Sequence, residues 1–94
     1  MKIFISQPMN GKTKEQIEKE RRSVKLPEGS VVLPSVSKCS HNPKNRPVWY
    51  LAKSLEIMAE ADVVFFMKGW ERARGCCIEH EIAKQYNLQI MYEV

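Results

Sequence analysis

Apolar positions along this chain fall in short blocks whose spacing alternates between strand-like and helical. Lys2-Ile3-Phe4-Ile5-Ser6 is an apolar run stopped by Gln7-Pro8, which reads as a first strand. Asn10-Gly11 is a turn signal, and Thr13-Lys14-Glu15-Gln16 fits a capping box with Thr13 as N-cap. The helix it opens should run to about Lys25 with a thin apolar side, chiefly Ile17 and Val24, and end at Pro27-Glu28-Gly29. Ser30-Val31-Val32-Leu33 reads as a second strand closed by Pro34, and residues 35–47 as a polar loop, long for so small a domain. From Pro47 to Glu60, Val48, Leu51, Ala52, Leu55, Met58 and Ala59 recur at helical spacing, with Pro47 suited to a first turn. Asp62-Val63-Val64-Phe65-Phe66-Met67 is the continuous run expected of a strand covered on both faces. A loop over 68–75, a helix over 76–86 and a strand over 88–92 complete the chain.

The order β-α-β-α-β-α-β predicts an α/β fold: a four-stranded parallel sheet with helices on both faces, a three-layer sandwich. Ligands of such sheets bind at the carboxyl ends of the strands, near the point where strand order reverses. Two loops should meet there, 6–12 after the first strand and 68–75 after the third.

Composition narrows this picture. The 94 residues fit one domain spanning 1–94. With 44% hydrophobic and 28% charged residues the chain is of ordinary globular type. No apolar run approaches the roughly 20 residues that cross a bilayer, so no membrane partner is expected. The opening apolar run is too short for a secretory signal, which points to a cytoplasmic protein. Three cysteines, two of them adjacent, argue against a disulfide scaffold. The net charge of +4 is unevenly spread. No acidic residue lies between Glu28 and Glu56, whereas Lys38, Lys44, Arg46 and Lys53 do. That pattern suits a solvated loop or a phosphate-bearing small molecule better than a nucleic-acid footprint. A domain this small buries only about 60–65% of its unfolded surface, so a homo-oligomer is expected.

The most informative residue is Glu79. On a helical wheel Ile78, Ile82, Ala83 and Tyr86 share one arc, and Glu79 falls inside it. A carboxylate among core-facing side chains is costly unless hydrogen-bonded, paired or protonated. Its place in the first helical turn offsets part of that cost, because free N–H groups and the dipole favour an anion there. The plainer reading is a helix-end Glu, or one paired with Arg72 or Arg74. A dry, ionised carboxylate beside a ligand crevice can instead attack an anomeric carbon.

Other groups also carry candidate chemistry. Ser6-Gln7-Pro8-Met9-Asn10-Gly11-Lys12-Thr13 imitates a phosphate loop, but Pro8 and Ser6 suit a phosphate-wrapping backbone poorly. A looser role remains for Ser6, Gln7 and nearby N–H groups in holding a base or phosphate. Trp70 is placed to stack on a base, and Arg72 and Arg74 to bind a 5′-phosphate, since guanidinium matches phosphate geometry. Trp49 and Tyr50 are better read as packing. Cys39, His41, Cys76, Cys77 and His80 lack the spacing of a zinc site, so no metal is expected.

Three segments carry a family resemblance. Lys2-Ile3-Phe4-Ile5-Ser6-Gln7-Pro8-Met9-Asn10-Gly11 resembles the first strand and loop of nucleoside 2-deoxyribosyltransferase-like proteins. Ala61-Asp62-Val63-Val64 and Gly75-Cys76-Cys77-Ile78-Glu79-His80-Glu81-Ile82-Ala83 resemble their third strand and catalytic helix. Within that superfamily the chain is most similar to a small phage and bacterial group. The resemblance implies a flavodoxin-like (Rossmann-like) fold and attack on the N-glycosidic bond of a nucleoside or nucleotide, by transfer or by hydrolysis, without a cofactor. Glu79 matches the catalytic glutamate, and Asp62 an acidic position that helps form the substrate site. Ser6, Gln7, Pro8, Trp70, Arg72, Arg74 and Gly75 complete the expected substrate-binding set. Relatives are oligomers whose neighbouring subunits complete the site. This chain departs at Phe4, where transferases carry a tyrosine, and at Ala73, where a base-contacting acid is common. Those departures motivate a second expectation, a nucleotide-binding module of the same fold without catalysis.

Overall fold

The computed structural model describes residues 1–94. Its elements in chain order are β1 (Lys2–Ser6), α1 (Lys14–Ser23), β2 (Val31–Val32), α2 (Arg46–Met58), β3 (Val63–Phe66), a 3-10 turn (Trp70–Arg72), α3 (Arg74–Gln85) and β4 (Gln89–Tyr92). The strands form one sheet in the order β2-β1-β3-β4, and every pairing is parallel. This is the small flavodoxin-like or Rossmann-like architecture that the strand-helix alternation implies.

The order reverses at β1, which has β2 on one side and β3 on the other. Right-handed crossovers then send α1 to one face and both α2 and α3 to the opposite face. Two cores result. Ile3, Ile5, Val63, Phe65 and Met67 form one, packed by Val24 and Leu26 beyond the end of α1. Phe4, Val64 and Phe66 form the other with Met58 of α2 and Ala83 of α3. Side-chain alternation along β1 and β3 assigns each residue to its face. Because both faces are covered, all four residues of β3 are between 0 and 2% exposed, which explains their unbroken apolar sequence.

The element ends follow local chemistry. The Thr13 hydroxyl accepts from the Gln16 N–H at 3.1 Å, and the Gln16 side chain accepts from the Thr13 N–H at 2.9 Å. Both halves of the capping box are therefore present. Helix α1 buries no residue, in keeping with its thin apolar side. It is tied down by polar contacts: Gln7 Nε2 donates to the Ile17 carbonyl at 2.8 Å, and Arg21 to the Leu33 carbonyl at 3.1 Å. Helix α3 closes with Asn87 in the left-handed region (φ 56°). Leu88 N–H bonds the Ala83 carbonyl and Asn87 N–H the Lys84 carbonyl, the paired bonds of a Schellman ending.

Several boundaries differ from the sequence expectation. Strand β2 shrinks to two residues, because it pairs only with Lys2 and Ile3 and has no outer neighbour. Helix α2 starts at Arg46, capped by the Asn45 side chain on the Val48 N–H. Helix α3 starts at Arg74 and takes in Gly75, expected in the preceding loop, so Glu79 lies beyond the first turn in which the sequence put it. No helix is long and apolar enough to cross a membrane.

Core and cap should separate cleanly in urea unfolding. Phe66→Ala removes a fully buried ring and should cost about 3–5 kcal/mol. Thr13→Ala should cost about 1 kcal/mol, the usual loss of an N-cap oxygen.

Candidate functional site

Alternation along β1 puts Ser6 on the same face as Phe4, toward α2 and α3. The Ser6 hydroxyl donates to Glu79 Oε1 at 2.7 Å, a buried contact between residues 73 positions apart. Ser6 is 1% exposed and Glu79 7%. The inward line of α3 runs through Cys76, Glu79 and Ala83, spaced three and four apart as one helical stripe requires. The expected arc was centred differently: Ile78 is 38% exposed and Tyr86 75%. Small residues let the helix approach the sheet, and the bulkier Ile78 is turned toward the crevice.

Burial pushes the Glu79 carboxyl above its ordinary pKa, while the hydroxyls of Ser6 and Ser54 pull it back down. Desolvation is the largest cause, since it penalises the charged form. Cys76, one turn earlier, is pushed up to about 11, again chiefly by burial. It is therefore a neutral thiol at pH 7 and no nucleophile.

Glu79 sits in a cavity of about 800 Å³ at the carboxyl end of β1. The strand exit and its loop supply Ser6, Gln7, Met9 and Asn10. The beginning of α3 and the residues before it supply Arg72, Arg74 and Gly75. Helix α2 supplies a third wall through Asn45, Tyr50, Leu51 and Ser54. The loops after β1 and β3 do meet, as the topology predicts: Gly69, at φ +90°, lies where a Cβ would stand 3.7 Å from the Pro8 ring. Only the second half of the latter loop reaches the cavity.

Three expected site residues lie outside the cavity, and a fourth only borders it. Asp62 precedes β3 and lies at the amino edge of the sheet, the end opposite Glu79. Its carboxylate accepts from the Lys2 N–H at 2.6 Å and its own N–H bonds the Lys2 carbonyl, so it caps the β1–β3 ladder. Trp70 does not line the cavity. It stacks on His80 at 4.1 Å between centroids and packs on Phe66 and Tyr92, across α3 from the crevice. His80 is held there by a 2.6 Å hydrogen bond to the Tyr92 hydroxyl. Pro8 stands outside the cavity against Gly69. Gln7 touches the cavity, but its amide is turned to α1, where Oε1 is buried without a partner. That is the face alternation dictates for the residue after Ser6.

The wall from α2 was missed, although Ser54 left a signal. It lies three residues after Leu51 and four before Met58, so it interrupts an apolar stripe as Glu79 does. Tyr50 serves packing as well, since its hydroxyl accepts from the Cys39 N–H at 2.9 Å and pins the long loop to α2. No three His, Cys, Asp or Glu side chains converge anywhere in the chain.

Comparison with known proteins adds a family. A model described as a domain of unknown function, DUF4406, matches residues 1–92. The chain belongs to the DUF4406 family. No curated protein and no solved structure matches it. The site of this DUF4406 member holds one buried carboxylate, two serine hydroxyls, a tyrosine, two arginines and an apolar wall.

The raised pKa of Glu79 fixes the sign of a stability effect. The folded state disfavours the charged form, so stability is fully present below the ordinary carboxylate range and falls as pH rises through the folded pKa. Glu79→Gln should therefore melt higher than the wild type at pH 7 to 8, and the gap should close as pH falls below about 4.5, the unperturbed value. A gap that stays constant with pH would show that ionisation of Glu79 is not its source.

Proposed function

We propose that this DUF4406 member cleaves the N-glycosidic bond of a nucleoside or nucleotide, with Glu79 as nucleophile. The observation that supports it is the Ser6–Glu79 contact: a carboxylate 7% exposed, hydroxyl-bonded at 2.7 Å, opening onto a cavity lined by arginines. A charge is rarely held in such a place for stability alone. The resemblance of the Glu79 helix to the catalytic helix of deoxyribosyltransferase-like proteins gives the reaction its class.

In the first step a Glu79 oxygen attacks the anomeric carbon. The carbon–nitrogen bond breaks, and the base leaves with the bonding pair and takes a proton from water. In the second step water, or a second base, displaces the carboxylate and regenerates it, giving its proton to the hydroxide left by the first step. Ser6 and Ser54 hold the carboxylate in one orientation and favour its charged form. Arg72 and Arg74 bind a 5′-phosphate, and the apolar side of α2 near Leu51 takes the sugar or base. The protein acts as a homo-oligomer in the cytoplasm, and neither a metal nor a cofactor enters the chemistry.

A second reading, a binding module without turnover, is favoured by one observation. With Asp62 at the far edge, Glu79 is the only carboxylate lining the cavity, so no second carboxylate is there to serve as acid for the leaving base or base for the incoming water. The two readings separate in one assay, in which deoxynucleosides and their monophosphates are incubated with the protein and free base is quantified by chromatography. The enzyme reading expects base release that Glu79→Ala abolishes. Binding without release supports the module.

The pH profile gives an independent check. The rate should fall on the acid side through the folded pKa of Glu79, at a pH above the ordinary carboxylate range. Ser6→Ala removes a hydrogen bond that favours the charged form, so the acid limb should move to still higher pH. A limb that stays in place would remove Ser6 from the site.

A further inference from the structure

The reaction proposed above requires a proton for the departing base, and few side chains of the cavity have one to give. The Ser6 hydroxyl donates to Glu79 Oε1, and the Ser54 hydroxyl bonds the same carboxylate. Guanidinium and side-chain amide groups do not release protons at neutral pH, which sets aside Arg72, Arg74 and the amides of the cavity. Cys76 is 4% exposed, and burial pushes its thiol up to about 11, so its proton is held tightly. Tyr50 remains among the residues that line the cavity.

The Tyr50 hydroxyl is half committed. Its oxygen accepts from the Cys39 N–H at 2.9 Å, and no group of the chain accepts its proton. A phenol has one proton to donate and accepts through its lone pairs, so the oxygen is fixed while the proton is free. The ring is held by an edge contact with Trp49, 5.0 Å between centroids at 89°. Its depth fits as well. Val48, 58% exposed, marks the mouth of the cavity, and Ser54, bonded to the buried Glu79, marks its floor. Tyr50 lies between them on α2, one turn from Ser54, and side chains four residues apart stand roughly 5–6 Å from each other at Cβ. A nucleophile and its leaving group occupy opposite sides of the anomeric carbon. With Glu79 attacking from the floor, the base departs toward the mouth and so toward the level of Tyr50.

We infer that Tyr50 is the acid for the departing base, its hydroxyl giving a proton to the glycosidic nitrogen as the carbon–nitrogen bond breaks. The inference rests on the glycosidic reading above and adds a catalytic residue to it, replacing water as the donor of the first step. The phenolate then stands in place of the hydroxide, and the Cys39 N–H stabilises the charge on its oxygen. In the second step the attacking water bonds the anomeric carbon, gives its proton to the phenolate and releases the Glu79 carboxylate. When a second base is the acceptor, its N–H returns the proton instead. Tyr50 and Glu79 both end as they began.

Base release from five 2′-deoxynucleoside 5′-monophosphates tests the assignment. Adenine, cytosine, guanine and thymine each need a proton as they leave, whereas 7-methylguanine leaves its cationic nucleotide as a neutral molecule without one. Tyr50→Phe keeps the ring and removes the proton. It should lower kcat for every ordinary base that is released by about 10²-fold or more, the usual scale of general acid catalysis. KM for those substrates, and kcat for 7-methylguanine, should stay within about threefold of the wild type, since the proton moves only in the transition state. Loss of the anchor on Cys39 alone would instead slow all five alike, or raise KM with kcat unchanged, and either result overturns the proposal. Release that Glu79→Ala abolishes and Tyr50→Phe leaves intact keeps the glycosidic reading and removes Tyr50 from it. No release from any of the five by the wild type sinks the glycosidic reading and this assignment with it.

Discussion

A carboxylate carried into the interior by a helix needs a partner, and here the partner is fixed by the sheet. Strand β1 is pinned on both sides by parallel neighbours, so the direction of each of its side chains is set by the pleat. Ser6, its last residue, points to the α2–α3 face and meets Glu79 at 2.7 Å. Moving β1 by one residue against β3 would turn Ser6 to the α1 face and leave Glu79 buried without that donor. Register, helix placement and the polarity of the cavity floor are thus coupled through a single hydrogen bond. The surrounding core, with Phe66 and Val64 almost fully buried beneath it, is what makes that register rigid.

Much of this was legible in the sequence because it rests on local rules. The capping box at Thr13, the unbroken apolar run of β3 and the break after Gly11 each depend on residues a few positions apart. Glu79 was legible because a charge inside an apolar arc violates helical patterning wherever the helix is placed. What escaped depends on where distant elements meet. Asp62 was assigned to the site from motif likeness, yet a residue that begins a strand belongs to the amino edge by topology alone. Trp70 precedes Glu79 closely in the chain but turns away, since His80 of α3 and Tyr92 of β4 offer it neighbours. The contribution of α2 could not be placed, because a long irregular loop separates that helix from β2 and local pattern does not aim it.

Stability and chemistry pull against each other at this end of the sheet. Glu79 is less comfortable charged than protonated, and the arginines at two helix starts oppose the dipoles they stand on. Both are features that a chain selected for stability alone would lose first. Everywhere else the chain obeys the ordinary preferences: capped helix starts, basic residues in the last turn of α1, apolar residues on both faces of β3. The local violations are concentrated where the strand order reverses.

Helix α1 has a different consequence. It buries none of its own residues and is held by three polar contacts: the Gln7 amide on the Ile17 carbonyl, Lys12 on Glu20 at 2.8 Å, and Arg21 on the Leu33 carbonyl. Attachments of this kind open at far lower free energy than the apolar contacts of a sheet. Two of the three originate in the segment between Ser6 and the helix, the segment that also forms one edge of the cavity through Met9 and Asn10. Excursions of α1 away from the sheet therefore loosen that edge while the Ser6–Glu79 floor stays fixed. The entrance of the site is built on a lightly attached helix and its floor on the paired strands.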